Sequence, residues 1–346
     1  MSEKVSTPRW IVSAPPHAHQ GDSVRGIMLS VLVALAPAMA AALWFFGWDA
    51  ARLTLVCVAT CVAAEAVVRK AMGRDMAAGD LSAVVTGVLL AFNLPPSLPS
   101  WMAALGSAFA IVLAKQVFGG LGYNPFNPAL IGRVMLLVSF PVAMTTWSSW
   151  QVPAPLAGAD AMTTATPLGA WKMAMTTGAP APFQFDSQTA IQFLEGARNG
   201  CIGEVSAAAL VLGGLFLLFR RIIPWQIPVF YLGAAAAISG ILWRVDPANN
   251  MPPLFHLLAG GLLLGAFFMA TDMVTTPVTP LGRAIFGAGC GVLTMVIRRW
   301  GGYPEGVSFA ILVMNAFTPL INRATKPRVF GRGQKKSKAQ APGGQG

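Results

Sequence analysis

Six ionisable residues sit inside or at the edges of long apolar stretches: Glu65, Lys115, Arg133, Glu204, Asp272 and Glu305. A charge surrounded by hydrocarbon is costly and persists where it lines a water path or meets an opposite charge. These six are the candidates for carrying a cation or a proton, and an interfacial anchor or structural ion pair is the alternative for each. Glu204 opens an apolar stretch, and Glu65 and Lys115 lie near stretch ends, where a long side chain reaches the interface. Arg133 and Asp272 are the least easily read as surface charges. A different chemistry is offered by the run Asp160-Ala161-Met162-Thr163-Thr164-Ala165-Thr166-Pro167-Leu168, with hydroxyls among small residues. On residue types alone it is a loop of Ser/Thr turns. Asn124 and Asn127 in NPFNPA are amides placed before a proline-led helix, where Asn is a favoured cap. Cys57 and Cys61 share a helical face, Cys201 and Cys290 are isolated, and all four read as small buried hydrophobes. The histidines His17, His19 and His256 have no metal-ligand spacing, so no metal is expected.

Elements that could position these groups follow from composition. The chain has 346 residues, 55% hydrophobic and 11% charged, with mean hydropathy +0.61. A soluble domain carries about 25% charged residues, and so apolar a chain folded in water would expose large apolar patches. A soluble enzyme, a disordered chain and a disulfide scaffold are excluded. The sequence predicts an all-α polytopic membrane protein of about ten transmembrane helices: Gly26–Trp48, Leu53–Val68, Leu81–Leu94, Trp101–Phe118, Ala129–Met144, Ile202–Phe219, Trp225–Trp243, Leu254–Ala270, Leu281–Ile297 and Val307–Ile321. Several fall short of the ~20 residues a crossing needs. Short or interrupted segments in corresponding places of two halves mark broken helices that line a site.

The halves look related. TGVLLAFNLPPSLPS and GGLGYNPFNPAL in one are matched by LGAFFMATDMVTTPVTP and GGYPEGVSFAIL in the other, with Pro95 and Pro277 each 24 positions before a Gly-Gly pair. Five spans per half gives two inverted five-helix repeats. The expected organisation is a cytoplasmic N-terminal segment (1–25), a first repeat (26–144), a periplasmic loop (145–200), a second repeat (201–322) and a basic cytoplasmic tail (323–346). With both termini inside, 17 of the 24 Lys and Arg residues fall on the cytoplasmic side, as the positive-inside bias requires. The pair Arg298-Arg299 is an exception. The basic tail lacks the aromatic interleaving of a nucleic-acid binder, so no nucleic-acid partner is expected.

Asp160 to Thr166 resembles Asp-x-x-(Ser/Thr)-Gly-Ala-Thr, the acceptor of a periplasmic flavin transferase that joins FMN to the last threonine by a phosphoester; Thr164 replaces the usual glycine. GGLGYNPFNPALIGRVML, GCIGEVSAAALVLGGLFLLF, FFMATDMVTTPVTPLGR and IRRWGGYPEGVSFAILVMNAFTPLIN together resemble the D-subunit family of Rnf ion-translocating electron-transport complexes. The B subunits of the Na⁺-translocating NADH:quinone reductases are its relatives. The resemblance spans about Gly26 to Asn322, and the short region before the first span favours the Rnf branch.

It implies a membrane flavoprotein subunit of the bacterial inner membrane, without independent activity, in ion-translocating electron transfer between NADH and ferredoxin. Thr166 would carry covalent FMN, with Asp160, Thr163, Thr164 and Ala165 recognised during attachment. A second, non-covalent flavin such as riboflavin is implied within the membrane part. Asn124 and Asn127 are candidates to contact it, helix capping being their alternative; Thr271-Asp272 and Thr275-Thr276 occupy the matching break. Implied partners are the other Rnf subunits, the flavin transferase, and NADH and ferredoxin through those subunits, since no Rossmann fingerprint or cluster motif occurs here. Arg133 and Asp272 stand as ion-path candidates. A channel-like transporter or a structural subunit is the competing expectation, distinguished by Thr166, for which a channel has no use.

Overall fold

The computed structural model describes residues 23–74, 78–147, 166–178, 183, 185–196, 199–247, 249–303 and 305–327. Among them every regular element is helical. In the first half, α1 (Val24–Phe46) and α2 (Trp48–Ala71) are long, α3 (Ser82–Phe92) is short, α4 (Ser100–Ile111) continues through a π turn at Val112–Gln116, and α5 (Pro128–Ser139) is followed by α6 (Pro141–Thr145). Next come α7 (Pro167–Thr177) and α8 (Ser187–Glu195). The second half has α9 (Ala207–Phe219), α10 (Gln226–Val245), a broken element made of α11 (Pro253–Leu258), α12 (Leu262–Leu264) and a π turn at Gly265–Met269, then α13 (Pro280–Trp300) and α14 (Val307–Ala324). Five helices, α1, α2, α10, α13 and α14, are long and apolar enough to cross a membrane. The protein is an all-α polytopic membrane protein. Large apolar side chains such as Trp44, Leu55 and Phe219 point outward, the arrangement of a bundle with lipid as its solvent.

The two halves repeat one packing plan. α2 packs on α3 and α4, and α4 on α5; α10 packs on α11 and α13, and α13 on α14. The halves meet where α1 lies against α9. Gly213 makes that approach possible, because a Cβ there would run into the backbone carbonyl of Ala34. The end of the bundle where α1 begins is called the near end below, and the end where α1 finishes is the far end.

Broken helices leave carbonyls that lipid cannot satisfy, and each half answers with an arginine. Arg52 of α2 donates to Ser100 Oγ at 2.6 Å and to the carbonyls of Pro96 and Leu98 beyond α3. Arg298 of α13, with no exposed surface, donates to the carbonyls of His256 (2.6 Å), Ala259 (2.9 Å) and Gly260 (2.8 Å) in the second break. The charge that violated the sidedness count is thus an internal clamp. Gly260 and Gly261 turn that break with φ of 55° and 26°, a region costly for any side chain.

The segment 145–200, expected as a loop, contains two helices. Thr166 caps α7 with Pro167 at its first position, and Gly178 ends it in the left-handed region. Asp186 caps α8, accepting from Thr189 N at 2.8 Å, and Gly196 ends it.

Candidate functional site

Three places gather the polar residues singled out above. The first is a partly open cavity of about 120 Å³ at the near end. Its walls come from the starts of α1 and α3, the turn before α5, the end of α9 and the segment after the second π turn, and include Lys115, Asn124, Asn127 and Asp272. The lining is mostly apolar, supplied by Met28, Val85, Leu89, Leu217 and Phe267 among others.

Both asparagines do local work there. Asn127 Oδ1 accepts from Ala129 N and Leu130 N, capping α5, and its Nδ2 donates to the Met269 carbonyl at 3.3 Å. Asn124 Nδ2 donates to the Phe126 carbonyl at 3.1 Å. Asp272 accepts from Val274 N and from Thr275 Oγ1, so it holds its own turn together. Lys115 lies on the π turn, 2% exposed, with Nζ 2.6 Å from Ser82 Oγ and 2.8 Å from Glu65 Oε1. Glu65 also accepts from Gln116 Nε2 at 2.6 Å. Neither Glu65 nor Lys115 reaches an interface, although their positions in the sequence suggested it. The π turn brings Lys115 and Gln116 inward together, and π turns gather at functional sites.

The second place is a buried cluster between the halves. Arg133 of α5 pairs with Glu305, which precedes α14, and donates to Asn93 Oδ1 at 2.7 Å and to Cys201 Sγ at 3.8 Å. Cys201 Sγ and carboxylate oxygens of Glu204 and Glu305 lie within 4.8 Å of one another. Their types would suit a cation, but the Arg133 guanidinium already bonds two of the three. Arg298 approaches from the other side: a Cβ on Gly260 would lie 3.3 Å from Arg298 Nη2 and 3.9 Å from Glu305 Cγ. Two carboxylates are thus set among two guanidiniums. Arg133 and Asp272 are not brought together; they lie in the cluster and the cavity respectively.

Asn93 was not singled out from the sequence, yet it links these places. Besides accepting from Arg133, its Nδ2 donates to the Leu89 carbonyl and lies 3.6 Å from Met269 Sδ. Met269 in turn receives Asn127 through its carbonyl. The signal was its place in FNLPP, where an amide at a helix end faces a break.

The third place is α7 at the far end. Thr166 is 5% exposed, and its Oγ1 accepts from Gly169 N at 3.0 Å. Asp160, Thr163, Thr164 and Ala165 lie outside the described residues. α7 is fastened by Lys172 Nζ, which donates to the carbonyls of Arg298 (2.8 Å) and Arg299 (3.0 Å), and by Trp171 Nε1, which donates to the Asn249 carbonyl at 3.2 Å. Partial burial, with Arg299 nearby, lowers the pKa of Lys172. The Trp171 ring meets His256 edge to face at 5.1 Å. Leu168, two residues after Thr166, lies over Gly260, so α7 covers the second break. The four cysteines are free and buried, as expected of small hydrophobes.

The family model described as "NQR2, RnfD, RnfE family" matches residues 11–331. The D subunit of the Na(+)-translocating ferredoxin:NAD(+) oxidoreductase complex of Acetobacterium woodii is 46% identical over 330 residues, covering 95% of this chain and 98% of the relative. The D subunit of the proton-translocating ferredoxin:NAD(+) oxidoreductase complex of Clostridium ljungdahlii is 45% identical over 322 residues, covering 93% and 96%. The D subunit of the ion-translocating oxidoreductase complex of Halorhodospira halophila is 43% identical over 342 residues, covering 92% and 95%.

Proposed function

The chain belongs to the NQR2, RnfD, RnfE family, and from that membership we propose that it is the flavin-carrying membrane subunit of an Rnf-type ion-translocating oxidoreductase complex. Its electrons pass between ferredoxin and NADH, which bind other subunits of the complex. The near end faces the cytoplasm and the far end the periplasm, in the inner membrane of a bacterium. A flavin transferase attaches FMN to Thr166, reading Asp160 and Thr163 to Ala165.

One observation carries this reading: Thr166 is the N-cap of α7. The first backbone N–H groups of a helix and its positive end form a site for a phosphate. A phosphoester on this Oγ1 would place its anionic oxygens at the start of α7, where the N–H of Gly169 already points at the hydroxyl. Thr166 is nearly buried once α7 is docked, so attachment requires α7 to be undocked, as in a newly inserted chain. The isoalloxazine would supply the electron chemistry, and α7 would hold it over the second break. A non-covalent flavin belongs in the near-end cavity, whose apolar walls suit a ring system; Asn124 is the amide that suits its edge, because Asn127 is taken up by capping α5 and holding the Met269 carbonyl.

The test is denaturing electrophoresis under ultraviolet light of the chain made with the flavin transferase, beside Thr166→Ala. Fluorescence should survive denaturation in the parent and vanish in the variant. A dark parent band, with a control protein labelled by the same transferase, would sink the covalent reading.

A further inference from the structure

We propose that Lys115 holds the negative charge that an added electron places on the flavin of the near-end cavity, and that Glu65 is the counter-charge that sets how strongly this is felt. This rests on the cavity's holding a flavin, as proposed above. Among the described residues, Lys115 is the one basic residue in the cavity wall. An ammonium buried to 2% exposure is held there by two contacts, at 2.6 Å to Ser82 Oγ and 2.8 Å to Glu65 Oε1. Ser82 is itself fixed, its Oγ donating to Asp80 Oδ1 at 2.7 Å.

Pairing with Glu65 accounts for the burial of Lys115, and its place in the cavity wall also sets its charge beside any ligand there. Glu65 also meets Gln116 Nε2 at 2.6 Å and Arg69 Nε at 3.8 Å, so Lys115 is the nearer of its two cations. The cavity's acid, Asp272, is engaged with Val274 N and Thr275. Lys115 is therefore the positive charge that a ligand in this cavity would meet, with Asp272 the acid of the same wall.

The charge balance is simple. One electron arrives from another redox centre of the complex, and the ring gains one electron and one negative charge. No bond forms or breaks. Lys115 keeps its proton and shares its charge between the ring and Glu65. In a site of low effective dielectric, a unit charge of opposite sign nearby is a large bias toward the reduced form.

The experiment is a spectroelectrochemical titration of the acid-extractable flavin in the purified complex, for the parent, Lys115→Met, Lys115→Arg, Glu65→Gln and Thr86→Trp. Thr86 lines the cavity, and a tryptophan there fills it, so Thr86→Trp identifies the flavin in question by removing one equivalent. Lys115→Met should retain that equivalent and shift its reduction equilibrium toward the oxidised form by about ten- to a hundredfold, with Lys115→Arg recovering most of the shift. Glu65→Gln should shift it the other way, because the ammonium is no longer shared; this variant keeps the question open to test if Lys115→Met does not assemble. Parent-like titration of Lys115→Met, or a Glu65→Gln shift that is absent or toward the oxidised form, overturns the role of Lys115 and leaves the cavity flavin standing. If Thr86→Trp removes no flavin, the cavity reading itself fails, and the role of Lys115 with it.

Discussion

Arg133 is the side chain for which the chain has gone furthest to supply partners. It is buried between the two halves and bonded to Glu305, Asn93 and Cys201, three residues far from it in sequence. Removing one member of a buried pair leaves the other charge uncompensated, at a cost of about 3–5 kcal/mol, whereas replacing both with apolar groups is often tolerated. Arg133→Leu alone should therefore lower the temperature at which the detergent-purified complex loses its size-exclusion peak, and Arg133→Leu with Glu305→Leu should recover much of the loss. An assembled double variant that transfers electrons but no longer moves ions would mark the pair as part of the ion path. One that does both would make it a fastener. Sequence reading singled out Arg133 because a charge in the middle of an apolar stretch needs a reason. It could not supply the partners, because a contact between residues 133 and 305 is a product of the fold and leaves no local pattern. Asn127 was legible for the opposite reason: a helix cap is decided within three residues.

At the scale of elements, the close approach of α1 and α9 depends on the missing side chain at Gly213. Gly213→Leu should force these helices apart and cost about 1–3 kcal/mol, the usual range for overpacking. Gly233→Leu on α10, where an added Cβ meets nothing within 4 Å, is the matched control and should be nearly silent. Thermal loss of the monodisperse peak measures both; equal losses would refute the packing argument. The spans themselves were readable: α10 and α13 were expected at Trp225–Trp243 and Leu281–Ile297 and form at Gln226–Val245 and Pro280–Trp300. Apolar runs bounded by Pro and Gly fix such limits without tertiary information. α7 and α8 were missed although Thr-Pro and Asp-Ser cap signals were present, because a segment of mixed polarity was read as loop. The π turns were not legible at all, since they arise from packing that aims Lys115 inward and leave no period in the sequence.

For the whole molecule, the first question is which end faces which compartment. Ser97 is exposed at the far end and Tyr123 at the near end, and the native cysteines are buried. In sealed right-side-out vesicles, Ser97→Cys should react with a membrane-impermeant maleimide, and Tyr123→Cys only after the vesicles are opened. The reverse pattern would invert the proposed sidedness. The cavity at the near end and Thr166 at the far end are separated by most of the bundle, with Asn127, Met269, Asn93 and Arg133 between them. That separation has an electrical consequence. An elementary charge that moves through the full membrane field exchanges about 2.3 kcal/mol with it per 100 mV. If flavins occupy these two places as proposed, an electron exchanged between them would traverse much of that field, its transfer would be an electrogenic step even before any ion moves, and the membrane voltage would act directly on their redox equilibrium.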